Sequence, residues 1–358
     1  MAKETMQSLK MSRKAGLSEG VFELVTLSNK DMSVQLSNLG CTLMSILVPD
    51  RKGQKKNVVA GFTTQEEYLN NEYYFGCVVG RVANRIAGGR FDLNGETIRL
   101  SINNNGNHLH GGLKGFHCKV WEVTRLFDEP AHAGVEFEYT SADGEEGYPG
   151  NLRARVKYLL DMQNRLTIHF SATTDKTTPV NLTNHTYFNL SGFDEPTILR
   201  HKLKLHSQAY IEKGATNVPT GRILPVNNTA LDFSKFKSIG QDISELKIDH
   251  GYDHCYVLDK NKKSPSLAAE LSDPVSGRVL NVYTDLPGIQ LYSANEWDGH
   301  ITGSQQIPYI KHGALALETQ FFPDSVNHAE FPSILLEAGQ QYHSTTIFEF
   351  GTTPVYEK

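Results

Sequence analysis

Short runs rich in β-branched and aromatic residues recur from about residue 20 to residue 350, and little of the sequence between them carries a helical period. They fall at residues 21–27, 33–36, 42–48, 120–126, 135–139, 152–160, 165–172, 278–283, 289–293 and 345–350. In Val135-Glu136-Phe137-Glu138-Tyr139 apolar and polar residues alternate one for one, as in a strand with one face in a core and one in water. Asn94-Gly95, inside Phe91-Asp92-Leu93-Asn94-Gly95-Glu96-Thr97-Ile98, supplies the two positive-φ residues of a type I′ hairpin turn. Residues 143–150 read as a loop, and only 63–70 and 239–246 suggest a turn or two of helix. No repeat, low-complexity run or linker interrupts the strands. The expectation is an all-β chain: one large antiparallel β domain over residues 20–358, after a poorly defined lead of residues 1–19.

Composition narrows the function classes. At 358 residues the chain can bury roughly 75% of its unfolded surface, so its core needs no metal or disulfide staple. Lys plus Arg number 35 against 40 Asp plus Glu, a net charge of −5, which disfavours nucleic acid as a partner. No apolar run approaches the roughly 18 residues of a membrane helix. Lys3, Lys10, Arg13 and Lys14 precede no apolar stretch, so a cytoplasmic protein without a secretory signal is expected. Cys41, Cys77, Cys118 and Cys255 lie far apart and are expected to be free, largely buried thiols. The lysine-rich residues 260–263 read as a solvated hairpin tip, and the lack of a heptad seam points to a monomer.

Several segments join turn chemistry to ionisable side chains. In Gly80-Arg81-Val82-Ala83-Asn84-Arg85, guanidinium and amide groups are suited to binding several hydroxyls, although surface arginines beside a strand would look the same. Asn103-Asn104-Asn105-Gly106-Asn107-His108-Leu109-His110-Gly111-Gly112 reads as a shaped loop. On a regular strand His108 and His110 would point to one side, but a metal site lacks a third ligand nearby. Alternation in Pro179–Leu190 would put Asn181, Thr183, His185 and Tyr187 on one polar face. Glu318 follows the small, apolar run Gly313-Ala314-Leu315-Ala316-Leu317. If buried there, its carboxyl would have the raised pKa of a general base; at a strand end in water it would be ordinary. Gly251-Tyr252-Asp253-His254 and Gly288-Ile289-Gln290-Leu291-Tyr292 set an Asp and a Gln beside aromatics, and either could be a plain strand edge.

Taken in order, these segments resemble the aldose 1-epimerases. The resemblance runs from about residue 40 to residue 350 and is most specific at residues 80–87, Leu109-His110-Gly111-Gly112, 144–150, 179–190, 251–254, 288–292 and Leu317-Glu318-Thr319-Gln320. It implies a β-supersandwich with a sugar cleft on its concave face, few short helices, no required cofactor or metal, and a free aldohexose as substrate. By matching motif, Glu318 corresponds to the general base and His185 to the general acid. Asn84, Arg85, His110, Asp253 and Gln290 correspond to sugar-binding residues. His108 stands outside the implied site, and Tyr252 replaces the family's common Phe. In the implied chemistry base and acid open the ring of one anomer and reclose it on the other face, which asks for a carboxylate and an imidazolium together near neutral pH.

Three other functions use the same residues differently. A non-catalytic sugar-binding module would keep Arg85, Asp253 and Gln290 without needing the acid and base. A glycoside hydrolase would pair Glu318 with Asp253 across the scissile bond. A relative acting on hexose 6-phosphates would need basic residues in the cleft, for which Arg81 and Arg85 are the candidates.

Overall fold

Alternation along the strands sorts side chains between a shared core and a polar cleft. The structure is a computed structural model and describes residues 8–15, 21–129, 131–259 and 264–353. Its largest sheet has nine strands, in the order Glu122–Glu129, His132–Ser141, Leu152–Asp161, Arg165–Thr174, Gln341–Thr352, Arg278–Thr284, Ser266–Ser272, Lys202–Leu205 and Lys237–Ser238. A six-stranded sheet runs Tyr187–Phe188, Leu315–Gln320, Gly288–Tyr292, Asp253–Leu258, Ser207–Lys213 and Pro219–Pro225. A third, of five strands, begins at Ser8–Ala15, which pairs antiparallel with Val21–Ser28, so a strand forms within the segment read as an undefined lead. The helices among the described residues are 3-10 turns of three to five residues. The sequence-expected helical segments shrink to Glu66–Asn70 and Ile243–Glu245.

The expected strands all form, most of them a residue or more longer than read. Asn94 and Gly95 take φ of 53° and 85° between Arg90–Leu93 and Glu96–Arg99, the expected hairpin. Residues 260–263 lie outside the described residues. Cys41, Cys77 and Cys255 are buried, Cys118 is exposed, and all four are unpaired.

Apolar side chains from all three sheets meet in one core. Leu315, Leu317, Ile289 and Leu291 of the six-stranded sheet join Phe170, Leu280, Val282 and Phe348 of the nine-stranded sheet and Val25, Leu27 and Val34 of the five-stranded one. Each such side chain contributes about 1.5–3 kcal/mol on burial. Because side chains alternate, packing Leu315 and Leu317 into this core turns Ala316 and Glu318 to the opposite face. There they meet Gln290 and Tyr292, their cross-strand partners.

One segment departs from the sequence reading. Residues 178–188 do not form an alternating strand but three two-residue strands, Thr178–Pro179, Thr183–Asn184 and Tyr187–Phe188, each paired in a different sheet. Every side chain here is buried. Backbone pairing with separate partners replaces strand periodicity, so the predicted common face of Asn181, Thr183, His185 and Tyr187 does not exist. His185 and Tyr187 reach the cleft, while Asn181 hydrogen-bonds the backbone of Phe321.

Arg81 is neither a surface residue nor a ligand-facing one. It is buried, and its guanidinium donates to Ser141 Oγ, Thr178 Oγ1 and the carbonyls of Ser141, Ala142 and Pro149. It ties the 141–149 loop to the strand pairs beneath the cleft. Arg81→Met leaves these acceptors unpaired in the interior and is expected to cost about 3–5 kcal/mol of stability. Chemical denaturation of the two proteins checks this, and equal midpoints would contradict it.

Candidate active site

The seven residues singled out by motif line one cleft of about 420 Å³. Glu318 and Gln290 are cross-strand neighbours, as are Asp253 and Tyr292. Opposite them, His110 and Asn84 sit on left-handed backbone, with φ of 52° and 63°. This also corrects the expectation that His108 and His110 point the same way. The strand ends at Leu109, and His108 turns inward to Tyr148 Oη at 2.7 Å and the Ser101 carbonyl, also at 2.7 Å. Gly111 makes the His110 turn possible: a Cβ there would lie 1.7 Å from the Gly80 carbonyl oxygen.

Glu318 and His185 form the centre. His185 Nε2 lies 3.5 Å from Glu318 Oε1, and the side chains are 5% and 3% exposed, which removes the solvated reading of Glu318. Burial raises the Glu318 carboxyl to about 8, assisted by the nearby charge of Asp253. Burial likewise lowers the His185 imidazole to about 4. At 3.5 Å mutual attraction would favour the charged forms, but desolvation of two buried groups outweighs it. Near neutral pH the resting pair holds one proton, on Glu318. This differs from the sequence expectation of a standing carboxylate and imidazolium. His185 Nδ1 and Glu318 Oε2 are buried without hydrogen-bond partners among the described residues. Of the seven such atoms among the described residues, these two belong to side chains that line the cleft, where a polar ligand could pair them.

Around this pair the polar groups form a chain. The backbone N–H of Asn84 donates to His110 Nδ1 at 3.2 Å, while Asn84 Nδ2 donates to Gln290 Oε1 at 3.2 Å. Gln290 Nε2 donates to Asp253 Oδ1 at 2.6 Å, and Arg85 Nε donates to Asn104 Oδ1 at 3.1 Å. Asn84 and Gln290 thus spend much of their hydrogen-bonding capacity on orienting their neighbours. Arg85's terminal nitrogens and His110 Nε2 have no hydrogen-bond partner among the described residues, and Asp253 Oδ2 has only the Lys213 ammonium, 3.6 Å away. Burial pushes the Asp253 carboxyl up, but Lys213, then Arg85 and His254, bring it below its ordinary value.

The fold supplies the third candidate metal ligand that sequence spacing lacked, since donor atoms of His110, His185 and Glu318 lie within 4.8 Å of one another. Their chemistry does not suit a resident ion. With Nδ1 of His110 accepting from Asn84, the neutral ring carries its proton on Nε2, the nitrogen that would have to be bare to ligate.

Several cleft residues escaped the motif reading. Tyr74 stacks on His185 with centroids 5.8 Å apart and an interplanar angle of 23°, and its ring lies 4.7 Å from that of His110. The aromatic run Tyr73-Tyr74-Phe75 before Gly76 is the one signal that could have marked it. Asn104 and Asp249, which also line the cleft, and Lys213 behind it carry no local signal of a role in the site.

The folded pKa of Glu318 sets a stability test. A group raised from 4.5 to about 8 contributes stability that is fully present below pH 4.5 and lost as pH rises through about 8. The Tm of Glu318→Gln is therefore expected to gain on that of the unsubstituted protein between pH 5 and 8, and a constant difference would refute the raised value.

Comparison with known proteins gives the family. A sequence model of the family described as aldose 1-epimerase matches residues 23–349. The chain is 44% identical to galactose mutarotase of Mus musculus over 331 residues, covering 92% of this chain and 94% of that protein. It is 36% identical to aldose 1-epimerase of Escherichia coli K12 over 336 residues, covering 92% and 95%. The crystal structure of an aldose epimerase homologue from C. elegans superposes with a TM-score of 0.86 at 30% identity, over 92% of this chain and 99% of that one. The chain belongs to the aldose 1-epimerase family.

Proposed function

We propose that this protein interconverts the α and β anomers of free hexoses, galactose and glucose among them, with Glu318 and His185 exchanging protons with the sugar. The observation that carries this is the 3.5 Å separation of His185 Nε2 and Glu318 Oε1. Mutarotation breaks and remakes the C1–O5 bond, so the two oxygens that trade protons, O1 and O5, hang on one carbon. The groups that serve them must be neighbours. A hydrolase instead needs two carboxyls roughly 5–9.5 Å apart flanking the scissile bond, and would have no use for the histidine. A non-catalytic module would have no reason to desolvate an acid–base pair.

Opening starts when the shared proton moves from Glu318 to His185. The carboxylate then takes the proton of O1–H as His185 protonates O5 and the C1–O5 bond breaks. This leaves the open aldehyde facing a protonated Glu318 and a neutral His185, the forms that burial favours. The aldehyde rotates about C1–C2, and the two groups reverse their roles to close the other face. Arg85, His110 and Asp253 hold hydroxyls, limiting the orientations the ring can take. A cytoplasmic location belongs to the same proposal, supported by four unpaired cysteines. Among the described residues no helix is long and apolar enough to cross a membrane.

Polarimetry on freshly dissolved α-D-galactose tests the two roles. Glu318→Gln and His185→Asn are each expected to lower kcat by about 10²–10⁴-fold, and retention of full rate in either variant would remove that residue from the mechanism. The one-proton form exists between the two pKa values, so kcat/KM is expected to be highest from about pH 4 to about pH 8 and to fall outside that window. A single limb near 6.5, the ordinary value of an exposed histidine, would contradict this.

Charge also selects the substrate. Besides the protonated Glu318, Glu72, Asp249, Asp253 and Glu296 line the cleft against Arg85 as its one arginine, with no lysine among the lining residues. With Arg81 committed elsewhere, a phosphorylated sugar meets repulsion. Glucose 6-phosphate is expected to react at less than about a tenth of the rate of glucose at low substrate concentration. Equal rates would overturn the preference for uncharged sugars.

A further inference from the structure

Asp249 lines the cleft and Lys213 stands behind it, neither with a role in the proton transfers above. Lys213 is the last residue of the strand Ser207–Lys213. A register shift between Ile211 and Lys213 disturbs the pairing with Pro219–Pro225 at that point. Its ammonium lies 2.9 Å from Asp249 Oδ1 and 3.6 Å from Asp253 Oδ2, with all three side chains 13–17% exposed. Asp249 is anchored a second time by His254, whose Nε2 is 3.8 Å from Asp249 Oδ2. The backbone N–H of Asp253 donates to His254 Nδ1 at 3.1 Å, which leaves the ring proton on Nε2, facing that carboxylate.

Asp253 is thereby held from two sides, with Gln290 Nε2 on Oδ1 and the Lys213 ammonium near Oδ2. From this geometry we infer that Lys213 is a positioning residue, fixing the Asp253 carboxylate in the orientation in which it accepts a sugar hydroxyl, with Asp249 as the anchor that keeps the lysine in place. The inference rests on the proposed role of Asp253 in binding the sugar. Lys213 is not among the residues lining the main cleft; it borders a small space of about 20 Å³ behind Arg85, Asp253 and Gln290. It acts through Asp253 rather than on the sugar. Its charge also explains why one of two buried carboxyls in this cleft ionises readily while the other does not. Lys213 offsets the burial of Asp253, whereas Glu318 has a partner that burial has made neutral.

Galactose mutarotation kinetics on the full chain separate this inference from the reading beneath it. Lys213→Met is expected to raise KM about tenfold, the scale of losing one hydrogen bond to a charged group, with kcat changed less than about twofold. Lys213→Arg, which keeps the charge, is expected to restore most of that loss. Asp253→Asn should raise KM at least as much, and adding Lys213→Met to it should change nothing further, because the lysine then has no carboxylate to position. If Asp253→Asn raises KM and Lys213→Met does not, the positioning role is overturned while the sugar-binding role of Asp253 stands. An unchanged KM in Asp253→Asn overturns both. A tenfold loss from Lys213→Met that persists in the Asp253→Asn background also overturns positioning, because the lysine would then act without Asp253.

Discussion

Placing a carboxylic acid and an imidazole side by side in a space almost closed to water governs the rest of the site. Neither group would choose that environment, since burial opposes the charge on each. The strand Leu315–Gln320, buried along its whole length, imposes it. Leu315 and Leu317 are held by the common core, and strand alternation delivers Glu318 to the other side whatever that costs. Stability supplied by three sheets offsets the strain at one residue. The surrounding hydrogen-bond chain through His110, Asn84, Gln290 and Asp253 is then free to be rigid, because its members satisfy one another.

That arrangement explains a division of labour. Groups whose polar atoms are spent on each other, Asn84 and Gln290, set direction. Groups with atoms left over, Arg85, His110 and Asp253, are the ones proposed to hold the sugar's hydroxyls. The two cleft-lining groups with orphaned buried atoms, His185 and Glu318, are the ones proposed to move protons. A sugar offers hydroxyls on every side, so a cleft of this kind gains both orientation and satisfied hydrogen bonds when it is filled. Pre-set dipoles around a desolvated pair need little rearrangement as the proton moves.

Much of this was legible in the sequence where structure is local. Alternating strands and the Asn94-Gly95 turn could be read directly, since period two and positive φ are properties of neighbouring residues. The site residues could be assigned only because the segments that hold them, Leu109-His110-Gly111-Gly112 among them, resemble in order those of the aldose 1-epimerases; read locally, each left a plain structural role open. What was not legible depends on segments distant in the chain. Arg81 looked like a ligand or surface residue because the carbonyls that bury it come from residues 141–149. Residues 178–188 looked like one strand because nothing local reveals three different pairing partners. Lys213 and Asp249 join across 36 residues, and their meeting point beside Asp253 exists only in the fold.

The account depends most on the claim that burial, more than mutual attraction, sets the charge of the central pair. Carboxyl-carbon NMR of glutamate-labelled protein, with Glu318→Gln to assign the resonance, reads that charge directly as pH is raised. Titration of Glu318 near pH 8 is the result expected. Titration near 4.5, the ordinary value, would mean that Glu318 stands in the cleft as a carboxylate at neutral pH, and the desolvation account would fail.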